Sequence, residues 1–320
     1  MSENEHIWLE HYPVTLFTIV MGTAGLTLAL KAGEAALGLT AVASTVAYGL
    51  SVVLFLVIAA GYGVKFLRHP GAVRAEWDHP VKLAFFPAIS IGLLLLATAT
   101  LPISRGLAHG MWLAGAAGQA VLTVAVVSGW ISARAFLHGH LSPAWFIPAV
   151  GNVIVPIAGA QLGYVELSWF FLSIGLIFWV VLLTLVMNRL VFHDPLPGRL
   201  QPTLVILIAP PAVGFLAWVA LTGDIDSFAR ILLNAAYFFA LIVAVQLPRI
   251  LRLPFAMSFW ALSFPIAALT IASLHYAEAT GSVMHRLIGL ALLPVLTVIL
   301  IALLLRTFRA VSSGAVFQPE

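Results

Sequence analysis

Three features of this sequence predict an all-α polytopic membrane protein of ten transmembrane helices, arranged as five helical hairpins with an inner ring of kinked odd-numbered helices around a central pore. Of its 320 residues, 62% are hydrophobic and 8% charged, which leaves too little polar surface to keep a soluble domain dissolved. Apolar runs of roughly twenty residues, the length that crosses a hydrocarbon core, recur ten times. Prolines interrupt the odd-numbered runs and largely spare the even-numbered ones.

The first twelve residues, MSENEHIWLEHY, carry three glutamates and no lysine or arginine. A cleaved signal peptide opens on a basic stretch, so the first run, 13–32, reads as a permanent span. The others lie near 41–66, 83–101, 110–135, 143–163, 168–190, 202–222, 228–247, 255–276 and 286–306. Connections are short except for 67–82, so residues 1–320 read as a single transmembrane domain. With a cytoplasmic N-terminus, eleven lysines and arginines fall on the cytoplasmic side and four on the other (Lys31, Arg105, Arg230 and Arg286). The positive-inside rule then places both short termini in the cytoplasm.

The third run contains Pro87, the fifth Pro148 and Pro156, the seventh Pro210 and Pro211, and the ninth Pro265. The first has Pro13 at its start and then Gly22 and Gly25, while the tenth breaks the pattern with Pro294. Pro87, Pro148, Pro210 and Pro265 follow one another at about one hairpin's length, which reads as a fivefold repeat of kinked pore helices. Proline gives no N–H to the carbonyl four residues earlier, and lipid cannot satisfy that carbonyl. The odd helices are therefore expected inside, facing protein or a water-filled cavity. A compact bundle without a pathway would carry the same prolines. In the ninth run a bulky ring, Phe264, stands directly before Pro265, which suggests a gate at the bend.

Acidic residues fall at span ends or in loops and not near mid-span, which counts against a proton- or sodium-coupled carrier and for passive conduction. His275, near the outer end of the ninth run, is a weak candidate for a proton site. A wall without carboxylates and a cytoplasmic basic rim of Arg68, Lys82, Arg189 and Arg249 favour anions. Carbonyls freed by proline, as negative ends of dipoles, oppose them. Selectivity among monovalent anions such as chloride and nitrate is expected to be weak.

Cysteine is absent, and His138 and His140 have no third ligand in sequence reach, so no metal site and no cofactor are expected. There is no phosphate-binding loop, no G-x-S-x-G and no H-E-x-x-H, so an enzyme is not expected. Basic residues do not form runs with interleaved aromatics, so nucleic acid is not an expected partner. Gln119, Asn152, Gln161, Asn188, Asn234 and Gln246 read as interhelical glue, with Asn152 placed to re-satisfy the bend at Pro156.

The run Trp260-Ala261-Leu262-Ser263-Phe264-Pro265, the loop Val73-Arg74-Ala75-Glu76-Trp77-Asp78-His79-Pro80-Val81 and the stretch Pro143-Ala144-Trp145-Phe146-Ile147-Pro148 resemble the tellurite-resistance/dicarboxylate transporter family. That family includes bacterial TehA, yeast malate transporters and the plant guard-cell slow anion channels, and the likeness extends over all ten runs. The resemblance implies five hairpins around a pore, a homotrimer with one pore per subunit, conduction of small anions or carboxylates, and occlusion by the ring of Phe264. It also implies the short bacterial form, in the inner membrane, with a role in tellurite resistance. Proton-coupled dicarboxylate (malate) transport is the alternative that the family leaves open.

Overall fold

The computed structural model describes residues 8–132 and 136–317. Ten helices in it are long and apolar enough to cross a bilayer: span 1 Val14–Leu37, span 2 Val42–Arg68, span 3 Lys82–Thr100, span 4 Arg105–Ser132, span 5 Pro143–Leu162, span 6 Val165–Phe192, span 7 Gly198–Thr222, span 8 Ser227–Ile250, span 9 Met257–Thr280 and span 10 Val283–Ser312. Among the described residues there is no strand. Arg134, counted on the basic side, and the expected end of the fourth run at 135 lie outside the described residues.

Burial separates the spans into two layers. The apolar cores of the odd spans are 67–83% buried and those of the even spans 22–33%. Span 1 packs on span 3, 3 on 5, 5 on 7, 7 on 9, and 9 back on 1, which closes an inner ring of five. Each even span lies outside this ring with its apolar side chains exposed, as a lipid-facing surface requires.

The inner spans share one backbone plan. Each opens as a 3₁₀ segment and continues as an α-helix: Val14–Leu16, Lys82–Phe85, Gly198–Ile208 and Met257–Leu262 open spans 1, 3, 7 and 9. Span 5 changes over twice, at Pro143–Trp145 and again at Gly151–Ile154. Proline accounts for the change. The carbonyls four residues before Pro87, Pro156 and Pro210 are those of Leu83, Asn152 and Ile206. Each accepts instead the N–H of the residue just before the proline, namely Phe86, Val155 and Ala209. Tighter winding therefore pairs the group that proline would orphan. In span 9 the corresponding turn is also 3₁₀, with the Ser263 N–H donating to the Trp260 carbonyl.

The far ends of the inner spans repeat as well. Spans 1, 5, 7 and 9 are followed by Gly38, Gly163, Gly223 and Gly281, with φ of 68°, 95°, 73° and 71°. This left-handed backbone ends a helix at little cost only in glycine, and it turns the chain into the next outer span.

The long connection after span 2 is not a loop. Pro70–Asp78 is a helix with proline at its first position, where no N–H is needed. Span 8 runs past its expected end and takes in Pro248, and Pro294 lies exposed on span 10 without interrupting the helix.

Candidate functional site

Phe264 is the second residue of the α-helical part of span 9, directly before Pro265. The backbone there is held from two sides. Trp260 Nε1 donates to Thr307 Oγ1 of span 10 at 2.9 Å, and Ser263 Oγ donates to the Trp260 carbonyl at 2.6 Å. On the other side span 1 offers a notch of two glycines. A Cβ on Gly22 would stand 2.4 Å from Ser263 Oγ, and one on Gly25 would stand 3.0 Å from Ala267 Cβ and 3.2 Å from Phe264 Cδ2. Glycine at these two positions lets span 9 and the Phe264 ring approach span 1 closely.

The ring stands in a row of cavities along the axis of the inner ring. On the N-terminal side a cavity of about 410 Å³ is lined by Lys82, Arg199, His79 and His11, with Phe85, Met257 and Ser258 at its inner end. Those last three residues also line a cavity of about 40 Å³, which in turn shares Met21, Ile147, Ile206, Ala209 and Phe264 with a second of about 40 Å³. The second shares Val213 and Phe264 with a cavity of about 720 Å³ that reaches the opposite side. All five inner spans contribute to both small cavities and to the largest one, and Phe264 lines all three.

Among the described residues, no charged one lines either small cavity, and each has room for about one water molecule. An ion there would be stripped of hydration among mostly Met, Ile, Val and Phe side chains, and the hydroxyls of Thr18 and Ser258 that line one of the two already donate to the Thr15 and Arg199 carbonyls, so its transfer is strongly unfavourable. The large cavity is more polar, with Thr98, Gln161, Asp224, Arg230 and His275 in its wall. The Arg230 guanidinium lies 5.8 Å from the Tyr276 ring centroid. A side chamber of about 360 Å³, containing Glu278 and Arg286, joins at Ile271 and His275.

Of the kink prolines, Pro210 lines a small cavity, Pro265 lines the other, and Pro87 caps the α-helical part of span 3. Pro148 lies in the short helix Phe146–Val150, ahead of the second 3₁₀ turn, and Pro156 opens the helix after it. The Pro148 carbonyl accepts from Gln119 Nε2 at 3.1 Å and from Thr123 Oγ1 at 2.8 Å, so Gln119 does bridge spans 4 and 5. Asn152 donates to the Ala149 carbonyl and to Thr123 Oγ1, while its own carbonyl, the one freed by Pro156, takes the Val155 N–H.

The rim residues separate. Lys82 lines the N-terminal-side cavity; Arg68 and Arg249 are exposed at the ends of outer spans; Arg189 is buried and donates to the Asp194 carbonyl. Arg199, not included in the expected rim, stands with Lys82 in the cavity wall. Sequence reasoning also missed a buried ion pair, Lys65 Nζ to Glu76 Oε2 at 2.8 Å. Tyr62 Oη donates to the same carboxylate at 3.0 Å, the Val14 N–H donates to its other oxygen at 3.2 Å, and Lys65 Nζ also donates to the Tyr12 carbonyl at 2.9 Å. This network ties the start of span 1 to span 2 and to the connecting helix. Burial pushes the Tyr12 phenol up to about 12, and its ring stacks on that of Phe317. Among the described residues, no group of three or more His, Asp or Glu is placed to hold a metal ion.

A family model described as "Voltage-dependent anion channel" (SLAC1) matches residues 11–308. The chain is 31% identical to the S-type anion channel SLAH3 of Arabidopsis thaliana over 260 residues, covering 81% of this chain and 41% of the plant one. It is 26% identical to the uncharacterized transporter MJ0762 of Methanocaldococcus jannaschii over 341 residues, covering 98% of each chain. It is 25% identical over 259 residues to the tellurite resistance protein TehA homolog of Haemophilus influenzae, covering 80% of this chain and 79% of that one. The chain thus spans about two fifths of the plant channel and nearly all of the archaeal transporter. Matched by the family model from before span 1 into span 10, the chain belongs to the SLAC1/TehA family of voltage-dependent anion channels.

Proposed function

We propose that this chain is a passive channel for small monovalent anions such as chloride and nitrate, with one pore along the axis of the inner ring, closed by the ring of Phe264. The observation that carries the reading is that Phe264 lines three consecutive cavities, each built from all five inner spans. Conduction requires the ring to leave the throat. It has two side-chain torsions, and a rotamer change with small shifts of Met21, Ile206 and Val213 would join the small cavities to the large one. If the closed state is favoured by about 3 kcal/mol, the open state is populated below roughly one per cent. Pairing of the carbonyls of Leu83, Asn152 and Ile206 within the 3₁₀ turns removes three dipole ends that would have opposed an anion. A homotrimer in a bacterial inner membrane and a role in tellurite resistance rest on the resemblance to the family, and the cytoplasmic position of both termini rests on the excess of lysine and arginine on that side.

The alternative, a proton-coupled dicarboxylate (malate) transporter, is favoured by one observation. His275 stands in the wall of the large opposite-side cavity, whose volume of about 720 Å³ admits a small organic diacid. Flux from liposomes separates the two readings. Chloride efflux from vesicles loaded with a chloride-sensitive dye is expected to be slow for the wild type, and to rise on the order of a hundredfold for Phe264→Ala at equal protein amounts if the closed bias is about 3 kcal/mol. It is expected to be indifferent to an imposed proton gradient. Malate uptake that needs the proton gradient and is abolished by His275→Ala, with no chloride efflux from either protein, would replace the channel with the carrier.

A further inference from the structure

Among the described residues, two donors in the wall of the large opposite-side cavity are left unpaired. The segments on that side, which join spans 1 to 2, 3 to 4, 5 to 6, 7 to 8 and 9 to 10, are described throughout. Other polar side chains of the wall are already committed. Thr98 Oγ1 donates to the Leu94 carbonyl at 2.9 Å, Gln161 Nε2 to the Ile157 carbonyl at 3.0 Å and Thr280 Oγ1 to the Tyr276 carbonyl at 2.7 Å. By contrast, the Arg230 guanidinium forms no ion pair or hydrogen bond among the described residues, and neither ring nitrogen of His275 has a hydrogen-bond partner there. Asp224, in the same wall, stands outside ion-pair distance of Arg230. Asp226, which caps span 8, accepts the Ala229 N–H at 2.8 Å and Trp218 Nε1 at 3.1 Å. Arg230 is nonetheless held in place. Its guanidinium lies 5.8 Å from the Tyr276 ring centroid, that ring packs on His285 with centroids 4.2 Å apart, and His285 Nδ1 pairs with Ser282 Oγ at 2.7 Å. The cavity and its side chamber together carry two charges of each sign, Arg230 and Arg286 against Asp224 and Glu278. At a distance these cancel, so this side recognises an anion by direct contact and not by a long-range field.

We infer that Arg230 and His275 form a binding site for planar oxyanions, a carboxylate or nitrate, in the opposite-side cavity, and that the site favours them over halide. A guanidinium is a planar fork whose parallel N–H groups match two oxygens of a planar oxyanion, whereas chloride offers it a single centre. The neutral His275 ring adds one further N–H. His275 lies eleven residues beyond Phe264 on the same helix, about 16 Å along its axis. An anion held there waits behind the throat without obstructing the ring. For its role the site rests on the reading of the chain as an anion pore, but the binding itself can be tested without any current.

The chain has no cysteine, so Ala279→Cys, in the wall of the same cavity, supplies a unique thiol. In the full-length protein in detergent, benzoate is expected to slow the modification of this thiol by a neutral reagent, and benzamide, of the same shape without the charge, is not. Adding Arg230→Gln is expected to raise the benzoate concentration for half-protection about tenfold or more, and adding His275→Ala to raise it about threefold, as loss of a charge-assisted and of a neutral hydrogen bond does. Nitrate is expected to displace benzoate at a several-fold lower concentration than chloride. Arg230→Lys, which keeps the charge and loses the fork, is expected to bring nitrate and chloride together. Equal protection by benzamide and benzoate, or half-protection that Arg230→Gln does not move, would overturn the site. Equal displacement by nitrate and chloride in the parent would overturn the preference. Chloride current through Phe264→Ala is recorded alongside. Current together with protection that ignores Arg230 rejects the site and keeps the pore. Protection that depends on Arg230, with no current from Phe264→Ala, rejects the pore and keeps the site.

Discussion

The proposed closure of the throat by Phe264 depends on two residues elsewhere that have no side chain. Gly22 and Gly25 on span 1 bring it close to span 9, and a methyl group at either position tests the fit differently. At Gly22 it would stand 2.4 Å from Ser263 Oγ and 2.9 Å from Ser263 Cβ, a hydroxyl already committed to the Trp260 carbonyl. Gly22→Ala is expected to destabilise the fold by about 1–3 kcal/mol, as overpacking of a tight contact does, measured as a lower thermal midpoint in detergent. At Gly25 the methyl would meet the Phe264 ring at 3.2 Å, so the ring must give by a few tenths of an ångström. Gly25→Ala is expected to raise chloride flux above wild type and below Phe264→Ala. Flux at the wild-type level would mean that span 1 does not seat the ring. That Phe264 lies at the bend of an inner span was legible in the sequence, because a large ring directly before a mid-span proline is a local signal. The glycine notch was visible as Gly22 and Gly25, but its partner on span 9 depends on how the ring of helices closes, which no local pattern encodes.

Among the elements, the connecting helix Pro70–Asp78 is held by the ion pair between Lys65, 1% exposed, and Glu76, 6% exposed. Removing one member of such a pair leaves a buried charge uncompensated, so Lys65→Met or Glu76→Gln alone is expected to cost about 3–5 kcal/mol. The double substitution Lys65→Met/Glu76→Leu is expected to cost less than the sum of the singles. A thermal double-mutant cycle measures this, and additive losses would show that the two charges do not act as a pair. The stretch 67–82 reads as a loop because it is polar and lies between two apolar runs, although Pro70 at a helix start was the available signal. The prolines of the inner spans were legible as irregular backbone. Their resolution as 3₁₀ turns was not, because an orphaned carbonyl can be re-paired by side chains, water or tighter winding, and the sequence does not choose among them.

In the molecule as a whole, alternation of irregular and regular helices in the sequence becomes alternation of inner and outer layers, because lipid tolerates no unpaired backbone. The same alternation explains why the basic rim was only partly legible. Arg68, Arg189 and Arg249 stand at the ends of outer spans, whereas Lys82 and Arg199 stand at the starts of inner ones. Positive charges counted along the chain give a side of the membrane, and only the layer of the span gives the distance from the axis. The most direct test of a pore closed at Phe264 is the current–voltage relation of purified wild type and Phe264→Ala in planar bilayers under a chloride gradient. A large current from the variant, reversing near the chloride equilibrium potential, with little from the wild type, is the expected result. Equal currents from the two proteins in matched amounts, or a variant current reversing near the cation potential, would contradict it.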